Sequence, residues 1–290
     1  MKKNKVFIHL RGGLGNQLFQ YATAYGLAKN NQSELIIDNR EYKKYKLHGG
    51  YRLNKLFIKS RGMTIKERVM FPFWLSKLAW KNNFLVKMYK RYFIEGSEVI
   101  RKINNDVVLI GYWQNVEYFK EYHKDFISMF KPKFLSLNAI EQYQKIKFKN
   151  SVCMHVRRGD YINNPVALNI HGVCSLDYYK NAIDYISEKT KDAVYFIFSD
   201  DVEWCKENAH LIFNANSKYN FINGNSQEID LWLMSKCKHH IIANSTFSWW
   251  GAWLAQSHEQ IVVVPEPWFD ADIGIKSPSL NSWKKYNKYK

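Results

Sequence analysis

Two adjacent arginines, Arg157 and Arg158, stand in the segment HVRRGDY directly after the apolar run SVCMHV. Arginine is always charged and offers a planar fork of N–H donors that matches phosphate oxygens. At a strand end beside Gly159 and Asp160, such a pair suits an anionic ligand, and Asp160 is spaced to hold one guanidinium in place. Strand alternation sets His155 on the face opposite Val156, the side on which Arg157 falls if the strand continues.

A second segment, RGGLGNQLFQYA, follows the apolar run VFIHL and opens a helix. Gly12, Gly13 and Gly15 allow a sharp turn and close approach of a ligand, while N–H groups at a helix start attract anions. Asn16 and Gln17 add polar side chains suited to a sugar or a phosphate. The G-x-G spacing also admits a dinucleotide-binding reading with Asp38 as the ribose acid, but Leu18 stands where the third glycine belongs.

The third segment is HHIIANSTFSWWGAWL. Asn244, Ser245 and Thr246 are capping residues whose helix would offer N–H groups to a phosphate, and Ser248 could extend that cup. Trp249, Trp250 and Trp253 read as core. Upstream, Asp230 lies on the helical stretch EIDLWLMSKC, and FSDD ends a strand with Asp200 and Asp201 available as caps or as ligands to base and ribose. There is no HExxH, GxSxG or P-loop lysine. The D-x-D spacing at Asp270 and Asp272, which suits manganese, falls in a loop after Pro265 and Pro267 and reads as solvated. Cys153, Cys174, Cys205 and Cys237 have no metal-ligand spacing and read as buried thiols.

The elements that must carry these segments alternate between short β-rich runs and amphipathic stretches. That pattern gives an α/β chain with parallel sheets covered on both faces, and ligands then bind at the carboxyl ends of strands. The rhythm restarts near residue 150, so two domains are expected, 1–149 and 150–290, with a cleft between them. The 43 basic residues against 26 acidic ones, net +17, favour an anionic partner: nucleic acid, a membrane surface or a phosphorylated donor. Sixteen Lys or Arg against three Glu lie between Lys43 and Lys102. Within that stretch, residues 71–93 read as a basic amphipathic helix. Phe71, Trp74, Leu78, Leu85, Tyr89 and Tyr92 share one face, with Lys77, Lys81, Lys87 and Arg91 opposite. The apolar runs are too short for a membrane span or a secretion signal, so a cytoplasmic chain is expected.

Taken together, GGLGNQLFQYA, HVRRGDY, FSDD and NSTFSWWGAW resemble glycosyltransferase family 11, the α-1,2-fucosyltransferases of bacteria and animals, in order from Gly12 to about Leu254. Related α-1,6- and protein O-fucosyltransferases share the H-x-R core. The resemblance implies a GT-B-like fold of two facing Rossmann-like domains, the first on the acceptor side and the second binding GDP-β-L-fucose. It implies inverting, metal-independent transfer of L-fucose to the 2-OH of a terminal β-galactoside, on an oligosaccharide or lipid-linked glycan. Bacterial surface-glycan (O-antigen) synthesis at the inner face of the inner membrane, with peripheral contact to anionic lipid, follows as an expectation.

By motif, Arg157 would grip the β-phosphate with Arg158 in support, and Asn16, held by Gly13 and Gly15, would face the fucose and phosphate. Ser245, Thr246 and Phe247 would cradle the β-phosphate, His155 and Asp230 would hold guanine, and Asp160 would support. No cofactor is implied, and no catalytic base stands out. A nucleic-acid-binding protein would explain the charge but has no recognised motif here. A nicotinamide dehydrogenase would explain the glycine turn alone.

Overall fold

In the computed structural model the run KVFIH is the middle strand of a five-stranded parallel sheet, and SVCMHV lies at the middle of a six-stranded one. The structure describes residues 3–45, 47–81, 92–95 and 101–290. The chain divides into two units, Met1–Lys131 and Pro132–Lys290.

The first unit contains β1 (Lys5–His9), α1 (Leu14–Asn30), β2 (Glu34–Asp38), β3 (Arg61–Gly62), α2 (Ile65–Met70), α3 (Phe73–Lys81), β4 (Tyr92–Ile94), β5 (Val107–Ile110) and α4 (His123–Met129). The strand order is β3-β2-β1-β5-β4, and every pairing is parallel. β1 and β5 are buried almost throughout, as strands covered on both faces must be. On one face Phe7, Ile36 and Val108 pack against Phe71, Leu75 and Tyr92. Helix α1 starts at Leu14, so Gly15 and Asn16 lie in its first turn.

The second unit contains α5 (Leu137–Lys147), β6 (Asn150–Val156), α6 (Gly159–Asn163), α7 (Pro165–His171), α8 (Leu176–Lys189), β7 (Ala193–Ser199), α9 (Val202–Ile212), β8 (Lys218–Phe221), α10 (Gln227–Met234), β9 (His239–Ile241), α11 (Thr246–Trp253), β10 (Val262–Glu266) and β11 (Lys284–Asn287). Its order, β8-β7-β6-β9-β10-β11, is the doubly wound dinucleotide-binding order, all parallel. Val152, Met154 and Val156 pack on one side with Tyr178, Ile183 and Cys205. Cys153 packs on the other with Ile229, Leu233 and Phe247.

Two expectations change, and one strand is new. The division falls at residue 131 rather than 149, because α5 buries Ala139 and Ile146 in the core of the second unit. The lysine-rich tail forms β11, whose pairing with β10 extends the sheet and buries Lys288 beyond its end. The expected helix over 71–93 is broken: Phe71 precedes α3, Trp74 is exposed while Leu75 is buried, and Tyr92 lies in β4. Packing of Phe71 and Leu75 onto the sheet, with Tyr92 part of β4, overrides the helical stripe. Leu85, Lys87, Tyr89 and Arg91 lie outside the described residues. Among the described residues no helix is long and apolar enough to cross a membrane. All four cysteines are buried thiols.

Candidate active site

In the second sheet the strand order reverses between β6 and β9, the position at which doubly wound folds bind their ligands. Both the arginine segment and the Asn-Ser-Thr turn leave the sheet there. The strand ends at Val156, so Arg157 and Arg158 lie in the turn before α6. Carboxylates hold both guanidiniums. Arg157 pairs with Asp160 at 2.5 Å and with Asp200 at 3.0 Å, and it lies over the Tyr161 ring. Arg158 pairs with Asp201 at 3.3 Å and sits 3.8 Å above the centre of the Trp204 ring. Asp200 also accepts the backbone N–H of Arg158 at 2.9 Å, and Asp201 caps α9 through the Trp204 N–H. Asp200 and Asp201, open to a ligand role from sequence, are therefore occupied in fixing the arginines. Of the five N–H donors on the Arg157 fork only some are engaged by these pairs, which leaves capacity for an incoming anion.

One strand away, Ser245 caps α11 by accepting the Phe247 N–H at 3.3 Å, and Thr246 opens the helix, half-buried. The helix carries no acidic residue in its first turn, so its N–H dipoles face the same edge as the arginines unopposed by fixed charge. Ser248 does not extend this cup. Its hydroxyl is fully buried, 3.0 Å from the Ala243 carbonyl and 3.1 Å from that of Ser245. Asn244 is structural as well, donating to the carbonyls of His171 and Trp268. Trp249 and Trp250 are core.

His155 shares the strand face of Cys153 and lies 5.7 Å from the Phe247 ring, centre to centre. Burial pushes its imidazole down to about 4, so the ring is neutral at pH 7. Its Nδ1 is buried without a hydrogen-bond partner among the described residues, a rare state that fits a group kept for a ligand. Asp230, on the helix covering that face, accepts from the Asn225 amide at 3.0 Å, and burial lifts its carboxyl to about 6. The structure thus brings together His155, Arg157, Arg158, Asp160, Ser245, Thr246 and Phe247 at one sheet edge, with Asp230 on the adjoining helix.

Asn16, Gly13 and Gly15 belong to the first unit, where the strand order reverses between β1 and β5. Gly12 takes φ +83°, open to glycine, and a Cβ there would lie 2.8 Å from Asn16 Nδ2. Gly13 is the N-cap of α1, and no side chain closes that cap. Asn16 receives a hydrogen bond from Gln114 at 3.2 Å. Gln17, an expected ligand group, is instead fully buried: it donates to the carbonyls of Gly12 and Gly50 and accepts the Arg52 N–H. Asp38 is also spoken for. His9 lies at 3.1 Å and Arg40 binds both its oxygens at 2.7 and 2.9 Å, contacts that hold the carboxyl far below its usual range despite burial. The ribose acid of a nicotinamide site is therefore absent from this turn.

Asp270 and Asp272 of the D-x-D loop are exposed, in keeping with a solvated loop, but the first of them also has structural partners. Asp270 pairs with Lys288, whose side chain is fully buried, and with the Tyr289 hydroxyl. Lys288 Nζ also donates to the His171 carbonyl at 2.7 Å, which accepts from Asn244 at 2.6 Å. Sequence reasoning missed Trp204, Lys288, Gln20, Glu95 and Gln114. Only Gln20 carried a local signal, standing one helical turn after Gln17 within the glycine motif.

The family model for glycosyl transferase family 11 matches residues 2–287. An alpha-1,2-colitosyltransferase of Escherichia coli is 43% identical over 289 residues, 98% of this chain and 99% of that protein. The O-antigen biosynthesis glycosyltransferase WbnK of Escherichia coli is 34% identical over 307 residues, 94% of this chain and 98% of that protein. A galactoside 2-alpha-L-fucosyltransferase, SEC1 of Bos taurus, is 26% identical over 262 residues, covering 86% of this chain and 64% of that one. Among solved structures, the fucosyltransferase NodZ from Bradyrhizobium superposes with a TM-score of 0.56 at 15% identity, over 88% of this chain and 94% of that one. A variant of FUT1 from Arabidopsis thaliana in complex with GDP gives 0.56 at 13% identity, over 99% of this chain and 77% of that one. Two parallel, Rossmann-like sheets and these likenesses make the fold GT-B. With the family model matched over nearly its whole length, the chain is a glycosyltransferase and belongs to glycosyl transferase family 11.

Proposed function

We propose that the protein transfers L-fucose from GDP-β-L-fucose, with inversion, to the 2-OH of a terminal β-galactoside. The observation that carries this reading is the second unit's switch point, where Arg157, Arg158 and the start of α11 converge while a neutral His155, its Nδ1 without a hydrogen-bond partner among the described residues, and a protonatable Asp230 lie behind them. Departure of GDP builds negative charge on the β-phosphate as the sugar becomes oxocarbenium-like, the type of transition state met in glycoside hydrolysis. Preorganised guanidinium and N–H dipoles stabilise that charge without a metal. In this reading Arg157 grips the β-phosphate and Arg158 supports it. Ser245, Thr246 and Phe247 cradle the phosphate, His155 and Asp230 hold guanine, and Asp160 orients Arg157. Asn16, placed by Gly13 and Gly15, contacts the fucose and phosphate.

A second donor has specific support. The relative of 43% identity is named a colitosyltransferase, and colitose is fucose lacking its 3-hydroxyl. The deciding experiment compares GDP-fucose with GDP-colitose on a panel of galactosides, with linkage analysis of the product, in buffer and in excess EDTA. Fucose in α-1,2 linkage, formed equally well with EDTA, is the expected result. A strong preference for GDP-colitose would replace the donor, and rescue by manganese alone would overturn the metal-free chemistry. We also propose a cytoplasmic role in surface-glycan synthesis, with peripheral contact to anionic membrane. The resemblance to an O-antigen glycosyltransferase and the exposed Ile65, Val69, Met70 and Trp74 beside basic residues support it.

A further inference from the structure

The two strands that flank the order reversal in the first unit are followed by loops joined through one fully buried side chain. Gln20 accepts the Arg11 N–H at 3.0 Å and donates to the Gly111 carbonyl, also at 3.0 Å. Behind the second loop stands Glu95, just past β4. Its carboxylate accepts the backbone N–H groups of Tyr112 at 2.6 Å and Gln114 at 3.0 Å. Between these two anchors Trp113 is buried with φ +58°, a left-handed backbone that bulky residues rarely adopt. Such backbone persists where its surroundings over-determine it, and it clusters at functional sites. Beyond this kink Gln114 Nε2 donates to Asn16 Oδ1 at 3.2 Å, while Gln114 Oε1 is buried without a hydrogen-bond partner among the described residues. A buried polar atom left unpaired is costly, so the amide is held for something other than its own satisfaction.

We propose that Glu95 and Gln114 are positioning residues that fix the Asn16 amide, Oδ1 toward Gln114 and Nδ2 over Gly12, so that Asn16 meets its ligand as a hydrogen-bond donor. The ligand atom opposite Asn16 is then an acceptor oxygen, on a phosphate or a sugar. This inference rests on the reading that Asn16 touches the donor substrate. It adds which atom of Asn16 does so and what orients it.

A double-variant cycle between positions 114 and 16 tests it, with melting temperatures recorded for every protein. Gln114→Glu keeps the volume but replaces the donor by an acceptor, so the Asn16 amide turns round and offers Oδ1 to the ligand. A misplaced reacting contact costs about 10²-fold in rate, and kcat is expected to fall by that order while the donor KM moves far less. In an Asn16→Ala background the same change should cost nothing further, because the coupling then equals the whole single effect. Glu95→Gln, cycled against Asn16→Ala in the same way, gives a second measurement that does not depend on position 114. Independent losses that add in the double variants overturn the positioning role while leaving Asn16 in place. Normal kcat in folded Asn16→Ala overturns the contact of Asn16 with the donor, and the inference with it.

Discussion

Arg157 is held by two carboxylates, Asp160 and Asp200, before any phosphate arrives. A planar fork can satisfy both and still present N–H groups to a third anion, whereas an ammonium is a point charge for which all three must compete. Arg157→Lys should therefore lower kcat by about 10²–10³-fold, the typical loss of one preorganised oxyanion donor, with a smaller rise in donor KM. Steady-state kinetics on the folded variant checks this, and near-normal kcat would remove Arg157 from the leaving-group role. Asp230 makes a different kind of prediction. Burial raises its carboxyl from 3.8 to about 6 in the folded chain. Its contribution to stability is thus full below the unfolded value and is lost as pH climbs through about 6. His155, lowered to about 4, works in the opposite sense: its contribution is lost as pH falls from 6.5 through about 4. If Asp230 holds guanine as proposed, its carboxylate and not the acid accepts the guanine N–H groups, and GDP affinity should weaken about tenfold per pH unit below 6. Calorimetry from pH 5 to 7 should show this step in the parent and not in Asp230→Asn. An unchanged step in that variant would assign it to the nucleotide's own phosphate.

At the scale of elements, α6 begins against β7 with no room to spare. A Cβ on Gly159 would lie 2.7 Å from Asp200 Oδ2, the carboxylate that binds both Arg157 and the Arg158 N–H. Gly159→Ala should push Asp200 off its partners, costing about 1–3 kcal/mol of stability by overpacking and a loss of kcat out of proportion to it. Thermal melts and kinetics on one preparation test this; an unaltered kcat would mean that Asp200 does not orient the arginines. The pattern of legibility follows from the same local packing. The strands VFIHL and SVCMHV were readable because burial on both faces makes continuous apolar runs. The strand-then-turn order of the motifs placed Arg157, Ser245 and Asn16 after the carboxyl ends of strands, where ligands of parallel sheets bind. Glu95, Gln114 and Lys288 were not readable, because each acts on a partner far away in sequence, and Lys284–Asn287 forms a strand only through its pairing with β10. Gln17 and Ser248 misled for a related reason: a polar side chain in a motif can serve the loop's own backbone.

At the scale of the whole molecule, the +17 charge acts as a field rather than a contact. Ile65, Val69, Met70 and Trp74 are exposed close to Lys66, Arg68 and Lys77, the composition of a surface that adheres to anionic lipid. Co-sedimentation with phosphatidylserine-containing vesicles is expected at low salt, weakened at high salt and reduced by Trp74→Ser. No binding at low salt would end the membrane reading. In a chain with this many basic residues, Lys288 differs from its neighbours in being wholly shielded while pinning the His171 carbonyl and Asp270 from the end of β11. It is consequently a clock for the release of that strand. An amine-acylating reagent should modify the exposed lysines within minutes and reach Lys288 only when the last strand lifts away, so its labelling rate, read by mass spectrometry, measures a local opening. If the nucleotide site and this strand share one cooperative unit, saturating GDP will slow that clock while leaving the labelling of Lys284 and Lys285 unchanged.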